Sequence, residues 1–173
     1  LKQQTAGSVR LDKTTSNVFR DRPTTQAQRL LDVSQFNHVL NVDPQNSLIE
    51  TEGMTTYEAL VDRSLSHGVM PAVVPQLKSI TIGGAGSGIG IESSSFRYGL
   101  PHESIGEMDV LLGSGEVVTC TPDNEHRDLF YGLANSYGTL GYILRLTVLA
   151  IPVKPYVQLT HIRFTDVGAL FDA

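Results

Sequence analysis

Five glycines in eight positions constrain this chain more than any other feature. Ser79-Ile80-Thr81-Ile82 runs directly into Gly83-Gly84-Ala85-Gly86-Ser87-Gly88-Ile89-Gly90. Glycine loses more conformational freedom on folding than any other residue, so a plain loop would avoid so many of them. What the run gains is close approach. Without Cβ atoms in the way, backbone N–H groups can turn toward an anion, and successive N–H groups lining a concavity bind phosphate or pyrophosphate. The alternative is a flexible linker or a tightly packed turn. Ile82, Ile89 and Ile91 weigh against a linker, because flexible linkers lack large β-branched residues. The run reads as an anion cradle, with the packed turn as the competing reading.

Two well-known cradles do not fit. A Walker-type loop needs G-x-x-x-x-G-K-[ST], and no Lys follows Gly88 or Gly90. The dinucleotide fingerprint G-x-G-x-x-G is absent from the run, and Ile91-Glu92-Ser93-Ser94-Ser95 carries no helical stripe, so a Rossmann site is disfavoured. The residues just after the run still suit a ligand. Three serines offer hydroxyls, and Glu92 either accepts from a ligand or caps backbone N–H groups. Arg97 and Tyr98 bring a cation and a ring, although Arg97 reads equally well as an exposed charge. Gly138-Thr139-Leu140-Gly141 resembles a second place of close backbone approach, and Gly138 fits a helix end just as well.

The remaining sequence indicates an α+β fold. Period-2 alternation marks strands at 8–12 and 29–32, and at 38–42 and 47–52, a hairpin closed by Asp43-Pro44-Gln45-Asn46. Residues 55–67 form the clearest helix, with Thr55 and Glu58 as a capping box, Tyr57, Leu60, Val61 and Leu65 as its apolar stripe and Gly68 at its end. A strand at 69–74, a hairpin of 107–112 with 116–121, a short helix at 127–135 leading to Gly138, and strands at 142–151 and 156–164 complete the pattern. A last helix opens at Thr165 or Asp166. The missing initiator Met and that short final helix suggest a fragment of a longer protein, cut on both sides.

Composition narrows the function classes. With 173 residues, 40% hydrophobic, the chain suits one domain with a packed core. No apolar run approaches the roughly 18 residues of a bilayer span, so no transmembrane segment is expected. A net charge of −5 argues against nucleic acid as partner. The single cysteine, Cys120, excludes an internal disulfide framework and favours the cytoplasm or the cytoplasmic face of a membrane. It sits in an expected strand and reads as buried filler. The five histidines lack metal-ligand spacing, so no metal site is expected.

Taken together, Thr81-Ile82-Gly83-Gly84, then residues 88–95, then Arg97-Tyr98-Gly99 resemble the FAD-binding domain of the PCMH-type (vanillyl-alcohol oxidase) flavoproteins. The run Gly-Ile-Glu-Ser-Ser-Ser is similar to the Δ24-sterol reductase branch. Pro75, Val118-Thr119-Cys120-Thr121-Pro122, Asp128-Leu129-Phe130-Tyr131, Gly138-Thr139-Leu140-Gly141 and the stretch 9–22 extend the resemblance over about residues 9–164.

The resemblance implies two α/β lobes with FAD between them: 1–70 in the first lobe, 71–164 in the second, and 165–173 opening a later region that selects substrate. It implies that Pro75, Thr81, Ile82, Gly83, Gly84, Ala85, Gly86, Ser87, Gly88, Ile89, Gly90, Ile91, Glu92 and Ser93 line the cofactor. Thr15, Ser16 and Asn17 would approach from the first lobe, and Gly138, Gly141, Tyr142 and Ile143 would contact the flavin or adenine part. Residues 13–20 contain no His and 71–100 no Cys, so the FAD is expected to be non-covalent. The implied activity is that of an FAD-linked oxidoreductase, moving a hydride between flavin and a sterol-like organic substrate, with this fragment inactive alone. No catalytic residue can be named; His102 either lies near the site or is simply solvated. A non-catalytic nucleotide-binding domain and a pyridine-nucleotide dehydrogenase fragment are the alternatives.

Overall fold

The computed structural model describes residues 9–12 and 29–173. Near the start, β1 (Val9–Asp12) and β2 (Arg29–Asp32) pair in parallel. The expected first hairpin forms between β3 (Val39–Asp43) and β4 (Leu48–Glu52), antiparallel. In its turn the Asp43 carboxylate accepts from the Gln45 and Asn46 amides, both at 3.0 Å, which is why Asp opens it.

Helix α1 (Tyr57–Leu65) begins one residue later than the sequence suggests. Thr56, not Thr55, caps it, accepting from the Ala59 amide at 3.3 Å. Thr55 is fully buried, and its hydroxyl donates to the His38 carbonyl at 3.2 Å. That contact pulls the side chain away from the helix end. Gly68 takes the left-handed φ of +73° expected after the helix. Next, β5 (Val69–Pro71) is shorter than its apolar run, and one further bond, from the Ala72 amide to the Leu149 carbonyl at 2.9 Å, closes its pairing with β8.

The glycine run, expected as a loop, forms helix α2 (Ile82–Ser87). It is followed by α3 (Ser95–Tyr98), a 3-10 turn (Pro101–Ser104) and the second hairpin, β6 (Ile105–Leu111) with β7 (Val117–Cys120). Helix α4 (Arg127–Gly132) ends well before Gly138, which sits in a loop with φ +83° and caps no helix. Strand β8 (Tyr142–Pro152) spans the molecule. The strand expected at 156–164 pairs with nothing among the described residues, and its Tyr156, Val157, Leu159 and Ile162 side chains are exposed. Finally, α5 (Val167–Phe171) is capped by Asp166, which accepts from the Ala169 amide at 3.0 Å.

β8 organises everything. It is flanked by β4 and β6, with β5 along its far end, in a six-stranded sheet ordered β3-β4-β8-β6-β7. An α+β architecture results, as the sequence suggests. The boundary expected at 70/71 passes through this sheet, since β3 and β4 precede it and β6 to β8 follow it.

One sheet face carries the core: Ile49, Met108, Val110, Val118, Cys120, Ile143, Leu146 and Val148 meet Tyr57 and Leu60 of α1, Ile82 of α2, and Phe130 and Leu133. The other face carries charge. Arg145 spreads its guanidinium over Asp109 (2.6 Å), Glu50 (2.7 Å) and Glu107 (2.8 Å), so all three strands are tied through one side chain. Burial pushes the Asp109 carboxyl up, but hydrogen bonds from Arg145 and Thr119 outweigh it and hold the group below the usual carboxylate range. Burial, then the Asp109 charge, pushes the Cys120 thiol up, which keeps it protonated and unreactive.

Candidate cofactor site

The glycine run divides into two parts. Its first part faces inward. The Ile82 amide donates to the Thr55 carbonyl (2.9 Å) and the Gly83 amide to the Gly53 carbonyl (2.8 Å). Thr81, the N-cap, accepts from the Gly84 amide at 3.3 Å through its hydroxyl and from the Ala85 amide at 2.9 Å through its carbonyl. The Gly88 amide closes onto the Gly84 carbonyl at 3.0 Å. These amides are spent on the protein itself, which corrects the expectation that they turn outward toward an anion.

Size explains several of the glycines. A Cβ on Gly83 would lie 2.7 Å from the Gly53 oxygen, and one on Gly86 would lie 2.8 Å from Ile105 Cδ1 and 3.1 Å from Ile143 Cδ1. Helix α2 therefore lies backbone-on-backbone against the β4–α1 turn. Gly53 itself was not singled out by the sequence. A Cβ there would sit 2.0 Å from the Ile143 oxygen, and its amide donates to the Leu144 carbonyl at 2.7 Å. Between a strand and a helix, a lone glycine looks like any turn, so no sequence signal marks it.

The second part is open. Among the described residues, the Ile89, Gly90 and Ile91 amides have no protein acceptor, and Ile89, Ile91 and Ser93 are exposed. Beyond them the chain is pinned: Ser94 donates to the Ala72 carbonyl (2.9 Å) and the Ser95 hydroxyl accepts from the Glu92 amide (3.0 Å). The Glu92 carboxylate accepts from the Gln76 amide at 3.2 Å, so it works on backbone as the second of its two readings suggested. Arg97 lies over the Tyr98 ring, 5.4 Å from its centroid. Burial, with the Glu92 charge behind it, pushes the Tyr57 phenol up, so that group stays protonated.

The other expected contacts are dispersed. Pro75, Thr81 and Ile82 are buried, and Ala85 packs on the core. Gly141 and Ile143 are buried too; a Cβ on Gly141 would meet Val110 Cγ1 at 2.6 Å, so packing alone accounts for it. Tyr142 is half-buried, and its hydroxyl donates to the Val9 carbonyl at 3.0 Å, joining β8 to β1. Gly138 packs under the same ring. Thr15, Ser16 and Asn17 lie outside the described residues. His102 sits half-buried in the 3-10 turn, with its Nδ1 buried and without a hydrogen-bond partner among the described residues. The described residues contain no group of three His, Cys, Asp or Glu that could hold a metal ion, and no helix among them is long and apolar enough to cross a membrane.

Open amides beside exposed hydroxyls, just past a helix whose glycines seat it closely on the β4–α1 turn, fit a dinucleotide that needs backbone donors at close range. The chain matches the FAD binding domain family over residues 9–121 and belongs to that family, so its cofactor is FAD. Its relatives include the Delta(24)-sterol reductases of Pisum sativum, 34% identical over 131 residues, and of Homo sapiens, 37% identical over 132 residues; each alignment takes in 76% of this chain. Cytokinin dehydrogenase 10 of Oryza sativa subsp. japonica is 29% identical over 131 residues. The chain spans about a quarter of the length of these relatives, 23%, 25% and 24% respectively. Among solved structures, 6-hydroxy-D-nicotine oxidase from Arthrobacter nicotinovorans shares the fold, with a TM-score of 0.69 and 20% identity over 84% of this chain and 31% of that one. The fold is thus the PCMH-type FAD-binding one.

Proposed function

We propose that this chain is the FAD-holding part of an oxidoreductase that acts on a sterol-like substrate. The observation that carries the reading is the open stretch at 89–91, next to Ser93, in a chain that belongs to an FAD-binding family. When bound, FAD supplies hydride chemistry at its flavin ring; the protein supplies binding, orientation and fixed dipoles. Here the Ile89, Gly90 and Ile91 amides donate to the cofactor's polar atoms, and the Ser93 hydroxyl adds a donor and an acceptor. Glu92, locked on Gln76, keeps these amides in place and does not itself transfer a proton.

The substrate class rests on the two sterol reductase relatives. The absence of His from 13–20 and Cys from 71–100 supports dissociable FAD. We place the lobe boundary between β2 and β3, because every strand from β3 onward joins one sheet, with β1 and β2 in the first lobe. A protein with one buried thiol also suits the cytoplasm or the cytoplasmic face of a membrane.

Reconstitution tests the function. The chain is expected to take up FAD with a shifted flavin spectrum and to release it on acid precipitation. Flavin that stays on the polypeptide would overturn the non-covalent reading. Binding of NADH without flavin would overturn the oxidoreductase class proposed here. In a longer polypeptide carrying these residues, reduction or oxidation of a sterol side-chain double bond, in preference to an amine, tests the substrate class.

A further inference from the structure

The loop after α4 stores strain at one place. Asn135 (φ +63°), Tyr137 (φ +49°) and Gly138 (φ +83°) are all left-handed. For glycine this costs little, and Asn tolerates it, but for Tyr the Cβ crowds the backbone carbonyl. In the same stretch the Ser136 hydroxyl oxygen is buried with no hydrogen-bond partner among the described residues, a second unfavourable feature. Such outliers persist where the surroundings impose them, and they cluster at ligand sites.

One restraint on this loop comes from α2. The Tyr137 amide donates to the Ser87 carbonyl at 3.0 Å, tying the loop to the last residue of the helix. The ring then leans over Gly88, where a Cβ would lie 3.7 Å from Tyr137 Cε1. The residue remains 38% exposed, so part of it stays accessible to a ligand. The ring stands at the point where the spent amides of α2 give way to the open ones at 89–91.

We propose that Tyr137 is a further cofactor-contacting residue, whose left-handed backbone sets its ring beside Gly88 to stack on a planar ring of FAD. The inference rests on the function proposed above and adds to it a residue that neither the glycine run nor the resemblance supplies. An aromatic face on an aromatic ligand is sequence-tolerant and strong enough to matter, and the phenol can still reach a polar atom.

Three forms of the chain test it, each titrated with FAD and melted without it. Y137G removes both ring and strain; its melting temperature is expected to be unchanged or raised, while FAD affinity falls about ten-fold. Y137F keeps the ring and should bind within about two-fold of the parent. Tyrosine quenches flavin fluorescence by electron transfer on contact and phenylalanine does not. Brighter bound flavin in Y137F therefore assigns the stack to the isoalloxazine, and unchanged brightness assigns it to the adenine. Unaltered FAD affinity in Y137G overturns the proposal while leaving the function standing. A Y137G chain that loses affinity only in step with a lowered melting temperature also overturns it, since the ring is then structural. If the parent chain takes up no FAD, the function reading itself fails and takes this one with it.

Discussion

The two parts of the glycine-rich segment lie side by side and do opposite work. In residues 82–88 the absence of side chains lets protein touch protein: amides meet the Thr55 and Gly53 carbonyls, and Gly86 makes room for Ile105 and Ile143. In residues 89–91 the backbone is left free to meet something else. A glycine-rich segment is thus not one device. The first part sets the distance of the second from the sheet, and only the second presents donors.

The sharpest way to break this contrast is Gly83→Val. Its Cβ would stand 2.7 Å from a backbone oxygen that cannot move aside. We expect a loss of at least about 3 kcal/mol, read by denaturant unfolding, with FAD affinity following only because the fold fails. Retained stability would mean that α2 does not lie on Gly53. At Gly90 the opposite is expected. A Cβ there meets only the Glu92 carboxylate at 3.3 Å and Pro101 Cγ at 3.8 Å. Gly90→Val should leave the melting temperature of the free chain nearly unchanged and weaken FAD by more than about ten-fold, or 1.4 kcal/mol. Equal affinity would show that the open amides are not the donors.

The smallest effect concerns neither part but the sheet beneath both. Because the folded Asp109 carboxyl is held below its ordinary range, its contribution is fully present above the unfolded value near pH 4 and is lost as pH falls through the folded one. We expect about 1 kcal/mol from this partly buried group. Asp109→Asn should flatten that acid limb in urea melts taken between pH 5 and 2. An unchanged limb would assign acid sensitivity to other carboxylates.

Much of the scaffold could be read directly. Alternating apolar residues marked the first hairpin, the glycine turn at 113–115 the second and a continuous apolar run the long β8, and Gly68 marked the end of α1 through its need for positive φ. The strand expected at 156–164 failed for a physical reason: alternation describes a face that must be buried, not the neighbour that buries it. Helix α2 was missed because glycine disfavours helices, and only contact with Gly53, thirty positions away, outweighs that propensity. The same holds for the site. Residue types singled out one segment, but which of its amides were already bonded depended on long-range packing that spacing does not encode. Thr55 illustrates the limit on a smaller scale, since its hydroxyl chose the His38 carbonyl over the helix cap one residue away.

The contact between Gly53 and Gly83 carries one more lesson, for anyone who wishes to move this module. A graft of residues 79–95 into a foreign host would arrive without its seat, because the seat is a turn encoded elsewhere in the chain. The two glycines form a single part delivered in two pieces, and a transplant succeeds only if both pieces travel together.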